Sequence, residues 1–169
     1  MKRQPRGVTT RSAKRVAGQN FYESYRGFTP ADKAKIFTVQ PEDAAPGAGF
    51  SLTTTPTDYA QYLGEILKPS VNDVAHLSPA MLKEMLKPHI KISTPISWGL
   101  GWTIEQGEVG TAFYHYGNSG TSQHLAVGLK EQLAGVVIMT NSGNGLRMCI
   151  RTALRALGAA HMTYTLSFS

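Results

Sequence analysis

Apolar positions along the chain change their period as it proceeds, and each change predicts a different element. Up to residue 43 there is no steady period. Phe21, Tyr22 and Tyr25 cluster briefly before Gly27 and Pro30 interrupt them, and Ile36-Phe37-Thr38-Val39 is the one stretch there that reads as a strand. The small-residue run from Ala44 to Gly49 is a turn from which a regular pattern begins. The chain therefore divides into a basic, mostly irregular segment, 1–43, and a domain, 44–169. Thr55-Pro56, with Asp58 three residues after the threonine, is a helix start: a capping hydroxyl, a proline whose missing N–H costs nothing at the first position, and an acid at the positive end of the dipole. Tyr59, Tyr62, Leu63, Ile66 and Leu67 follow at helical spacing, and Pro69 stops the run. Ser78-Pro79 repeats the start, Met81, Leu82, Met85 and Leu86 supply the apolar side, and Pro88 ends this second helix at Lys87.

After Pro95 the pattern turns to aromatic and β-branched residues punctuated by glycine. Strands are predicted at Leu100 to Glu105, Ala112 to Tyr116, Gln123 to Lys130 and Gly135 to Asn141, joined by short turns as an antiparallel meander. The last of them is continuously apolar, which predicts a mid-sheet strand with both faces covered. Leu146, Cys149, Ile150, Ala153, Leu154 and Leu157 then form a helical stripe with Arg147, Arg151 and Arg155 on the opposite side, and Gly158 stands where a C-terminal cap belongs.

Composition narrows the classes. The 169 residues are 41% hydrophobic and 17% charged, a globular balance. The longest apolar run, Gly135 to Met139, falls far short of the roughly 18–20 residues that span a bilayer, so no membrane span is expected. The net charge of +6 suggests nucleic acid until it is located: six basic residues and no acid lie in 1–16, and the remainder balances. Specific nucleic-acid binding is therefore not expected, and the Arg147, Arg151, Arg155 row reads as a solvated face. Residues 1–16 lack the apolar stretch of a secretory signal, and nothing else in the chain specifies a compartment. Cys149 is alone, and His76, His89 and His161 have no partners at ligand spacing, so no disulfide, metal or cofactor is expected.

The densest polar and glycine cluster is His115-Tyr116-Gly117-Asn118-Ser119-Gly120, at the end of a predicted strand. Glycine there admits a ligand to the backbone N–H groups, and the imidazole can donate to an anion or carry a proton. His124, one strand onward in an apolar stretch, reads as a packed or edge histidine.

Five segments in order, PTDYAQYL (Pro56 to Leu63) after the small-residue turn, LSPAMLKEML (Leu77 to Leu86), WGLGW (Trp98 to Trp102), HYGNSG (His115 to Gly120) and VVIMTNSGNG (Val136 to Gly145), resemble the C-terminal half of the β-lactamase-like serine hydrolases. That family includes class C β-lactamases, D-alanyl-D-alanine carboxypeptidases and related esterases. The resemblance, over about residues 44–158, implies an α+β class and a partial β-lactamase-like fold. Its antiparallel sheet would have three to four strands, with two short helices before it and a C-terminal helix packed on it. It implies that His115 and Gly117 form the His-x-Gly motif beside the active site, and that Asn118 offers an oxyanion-hole N–H. It also implies hydrolysis of β-lactam, peptide or ester bonds through an acyl-serine.

The nucleophile motif of that family, Ser-x-x-Lys, is absent: none of the twelve serines has lysine three residues on. Two decoys, Tyr116-Gly117-Asn118 spelling Tyr-x-Asn and Ser142-Gly143-Asn144 spelling Ser-x-Asn, both lie inside the C-terminal strand region, where the resemblance assigns them other jobs. The chain alone is therefore expected to be inactive, a truncated or remnant hydrolase whose missing N-terminal half sits on another chain. The alternative is a non-catalytic binding or interaction module that keeps the His-x-Gly cleft. A further expectation concerns the strand at 135–141, whose open edge would allow self-association.

Overall fold

The computed structural model describes residues 25–26, 29–30, 52, 54–70, 77–108, 110–120 and 122–158. A two-stranded antiparallel ladder pairs β1 (Tyr25–Arg26) with β2 (Thr29–Pro30). The predicted Ile36 to Val39 strand lies outside the described residues.

The helices start where the capping chemistry places them. In α1 (Pro56–Leu67), Thr55 Oγ1 accepts from the Asp58 N–H at 3.1 Å and donates to the Asp58 carboxylate at 2.7 Å. In α2 (Pro79–Met85), Ser78 Oγ accepts from the Met81 N–H at 3.2 Å. Such caps contribute about 0.5–2 kcal/mol each, which fixes where a helix begins. Burial of one face fixes where it sits.

A six-stranded antiparallel sheet follows in simple meander order: β3 (Ile90–Lys91), β4 (Ile96–Trp98), β5 (Thr103–Gly107), β6 (Gly110–Asn118), β7 (Gln123–Leu129) and β8 (Ala134–Thr140). The strand count exceeds the expected three to four because two short strands before Leu100, β3 and β4, add to the sheet beside β5, and Leu100 to Trp102, expected to open a strand, form the reversal that pairs β4 with β5. Gly99 N–H bonds Trp102 O at 2.8 Å, and Gly101, at φ 81°, closes a tight reversal between β4 and β5.

Side chains alternate across this sheet into two cores. Leu63 and Ile66 of α1, with Leu82 of α2 and Leu86 at its C-cap, pack on Trp102, Ile104, Phe113 and Ala126. On the other face, Cys149, Ile150 and Ala153 of α3 (Gly145–Leu157) pack on Tyr114, Leu125 and Val127. Phe113, Ile104 and Val127 have no exposed surface, and each such side chain stabilises the fold by about 1.5–3 kcal/mol. Arg147, Arg151 and Arg155 are exposed, and Gly158 caps α3 at φ 89°.

The seam between β8 and α3 is built from β7. Gln123 is buried, and its Oε1 accepts from the Leu146 N–H at 2.6 Å, while the Gln123 carbonyl accepts from Thr140 Oγ1 at 2.8 Å. Asn144 makes no side-chain cap, so a glutamine two strands' turns away supplies it. On β5, Glu105 is fully buried and accepts from Tyr114 Oη at 3.4 Å.

β8 corrects the mid-sheet expectation. Both its faces are covered, by α1 and α3, but among the described residues it pairs only with β7. Apolar continuity reported the covered faces and carried no information about the hydrogen-bonding edge. Val137 packs against the α1-side core, so a lysine there tests the core rather than the edge. We propose that this edge pairs with a second copy of the chain, and a proline tests that. In the β7–β8 ladder, Val137 is flanked by the pairs Val127 with Val136 and Leu125 with Ile138. Alternation turns its own N–H outward, so Val137→Pro removes a donor from the edge and none from the ladder. The wild-type chain should sediment above monomer size at micromolar concentration and Val137→Pro closer to monomer; a wild-type monomer at all concentrations would show that the edge is not used.

Candidate functional site

His115, Gly117 and Asn118 occupy the last turns of β6, where that strand outruns its neighbour. β5 pairs with β6 only as far as Thr103 opposite Tyr114, whereas β7 follows it to Asn118 opposite Gln123. The direction of the main-chain groups beyond Tyr114 follows from the ladder. At one end of the β6–β7 pair Lys130 N–H donates to Thr111 O, and beyond the other Ser119 N–H donates to Ser122 O, both at 3.0 Å. Hydrogen-bonded pairs recur every second residue in an antiparallel ladder. Odd-numbered residues of β6 therefore bond to β7, and the N–H groups of Tyr116 and Asn118 face the side that β5 has vacated. Among the described residues no strand pairs with that stretch.

The side chains around this edge divide into exposed and locally spent groups. His115 is exposed, with its ring centroid 6.2 Å from Trp98 and 6.4 Å from Tyr116. Gly117 is not forced by crowding: a Cβ there would touch only His124 Cδ2 at 3.7 Å, an ordinary contact. Its lack of a side chain leaves a notch on the sheet surface. Asn118 Oδ1 accepts from the Gly120 N–H at 2.8 Å, which fixes the turn and leaves the Asn118 main-chain N–H as its contribution to the edge. Ser119 and Ser122 bond each other through their hydroxyls at 2.7 Å, and neither is hydrogen-bonded to a lysine or histidine side chain. Among the described residues no base is bonded to either hydroxyl.

Two residues of this region were not among the site residues that the sequence pointed to. Trp98 arrives from β4 through the tight WGLGW reversal. His124 arrives from β7, directly opposite Gly117. Counting residues outward from the Asn118 to Ser122 turn pairs His124 with Gly117, so the signal was register rather than residue type. Its Nδ1 is buried without a hydrogen-bond partner, and burial holds the imidazole pKa below its ordinary value. Cys149 lies far inside the α3 core, where desolvation raises its thiol pKa, so it is no nucleophile. Among the described residues no group of three or more histidine, cysteine or acidic side chains is placed to hold a metal. None of their helices is long and apolar enough to cross a membrane.

Comparison with known proteins gives this edge a setting. Among solved structures the chain is similar to a penicillin binding protein from Bacillus halodurans, at 17% identity and a TM-score of 0.53 over 63% of this chain and 31% of that one. It is also similar to the octameric penicillin-binding protein homologue from Pyrococcus abyssi, at 22% identity and a TM-score of 0.56 over 75% of this chain and 29% of that one. The likeness is one of fold, and the chain spans less than a third of the length of either structure. No curated protein matches. The Beta-lactamase family model aligns with residues 7–160, reaching upstream of the helices and through the whole sheet to the end of α3. The chain belongs to the Beta-lactamase family.

Proposed function

We propose that this chain supplies the strand side of an acyl-transfer cleft, the part that aligns a substrate carbonyl and receives its developing charge. The single observation that supports this reading is the bare edge of β6, with the Tyr116 and Asn118 N–H groups turned outward beside an exposed His115. An acyl group lying along that edge places its carbonyl oxygen at the Asn118 N–H, where a preorganised donor stabilises a tetrahedral oxyanion. His115 stands two residues earlier on the same strand, in position to donate to a polar or anionic group of the substrate. The reaction served is hydrolysis of a β-lactam, peptide or ester through an acyl-serine, as the family membership suggests.

The serine itself comes from outside these 169 residues in this reading. None of the twelve serines has lysine at the third following position, and an unactivated hydroxyl is a poor nucleophile at neutral pH. The isolated chain should therefore show no labelling by fluorophosphonate or penicillin probes. Stoichiometric acylation of any one of its serines would overturn the proposal. A second reading, a ligand-binding module without turnover, is favoured by the mutual locking of Ser119 and Ser122. The two are separated by adding a polypeptide that carries a Ser-x-x-Lys half: complementation restores ester hydrolysis under the first and changes nothing under the second.

A further inference from the structure

Resting on the reading of the β6 edge as an acyl-binding cleft, we propose that His124 is a ligand-contacting residue of that cleft. Its Nε2–H would donate to a carboxylate or carbonyl oxygen seated in the notch at Gly117. The placement follows from register. Gly117 and His124 are cross-strand partners, and the one atom that a Cβ at Gly117 would meet within 4 Å is His124 Cδ2. Cδ2 is bonded to Nε2, so the edge of the imidazole that borders the notch is the edge that carries Nε2. His115, two residues along β6, lies on the same face because side chains alternate along a strand. Met139 stands opposite His124 on β8, so an apolar residue lies beyond it on the same face. The notch thus has an imidazole along the strand, a second across it, and no side chain of its own.

The tautomer follows from the sealed nitrogen. Nδ1 of His124 is buried and has no hydrogen-bond partner. A proton there would be a donor with nothing to bond, so the single proton of the neutral ring belongs on Nε2. The ring is half-buried, so only part of its rim is open to a ligand. An unpaired buried nitrogen is a local cost, and a phenyl ring of the same shape would avoid it. Its presence at the one position that faces the glycine of the motif is the kind of local inconsistency that marks a working site.

The test uses the full chain and N-acetylglycine, which offers a carboxylate and a peptide carbonyl. Long-range nitrogen-15 NMR on histidine-labelled protein should show His124 protonated at Nε2, with that resonance moving as N-acetylglycine is added. His124→Phe should weaken binding by about tenfold, the loss of one charge-assisted hydrogen bond, whereas His124→Gln, which keeps an N–H near the ε position, should stay within about threefold of wild type. Equal affinity of wild type and His124→Phe, or a proton found on Nδ1, would overturn the assignment while leaving the cleft intact. Failure of the wild type to bind N-acetylglycine would remove the cleft reading and the role of His124 with it. The tautomer and the Gln variant read out independently of whether the Phe variant folds.

Discussion

Phe113→Ala should leave the chain close to unfolded at 25 °C. Phe113 is completely buried at the centre of the α1-side core, edge-on to Trp102 with ring centroids 5.1 Å apart. Truncating such a ring costs about 3–5 kcal/mol through lost transfer energy and the cavity left behind. That is a large part of the roughly 5–15 kcal/mol that holds an ordinary domain together. The ring has a second partner across the strand, Gly128, which pairs with Phe113 in register and whose added Cβ would overlap the ring itself. Gly128→Ala in the wild type should therefore be destabilising by overpacking, about 1–3 kcal/mol. In the Phe113→Ala background the clash disappears, so the double variant should be less unstable than the two costs added together. Urea titrations of the four proteins measure this directly. Additive costs would show that the ring and the glycine do not share one space.

Gly99→Ala should couple stability to the candidate site. A Cβ at residue 99 would come 2.5 Å from the Met85 carbonyl oxygen and 3.3 Å from that of Lys87. Both are backbone atoms, one in the last residue of α2 and one two residues past it, in a segment tied to the reversal by the Leu100 N–H on Met85 O at 2.9 Å and the His89 N–H on Trp98 O at 2.8 Å. Neither side can yield cheaply, so the β4–β5 reversal must lift from α2, at about 1–3 kcal/mol or more. Trp98 moves with it, and the ring that flanks His115 leaves its place. The expected result is a lower melting temperature together with faster modification of His115 by diethyl pyrocarbonate. A variant that melts lower with His115 reactivity unchanged would separate the hairpin packing from the site.

Both variants sit where local sequence and tertiary contact carry different information. The helices were legible because their signals are local. Thr55-Pro56 and Ser78-Pro79 place a capping oxygen within reach of an N–H three residues on, whatever the rest of the chain does. The α3 stripe was legible for the same reason, since a helical period is set by bonds within one segment. The family resemblance was carried by short motifs in order, and the family match supports it. The position of His115, Gly117 and Asn118 at a strand end was legible from the glycine and polar residues that follow them.

What only the tertiary structure decided is everything that depends on which strand lies beside which. A strand's apolar pattern records the covering of its faces and says nothing of its two edges, so β8 read as central although its outer edge has no partner among the described residues. The extra strands β3 and β4 are short, and their pairing with β5 comes from a reversal at Leu100-Gly101 rather than from any period. The cap of α3 comes from Gln123, twenty-three residues away in sequence. At the site, register set the outward N–H groups and placed His124 across from Gly117. Register is a property of two strands together, and no residue in either strand contains it alone.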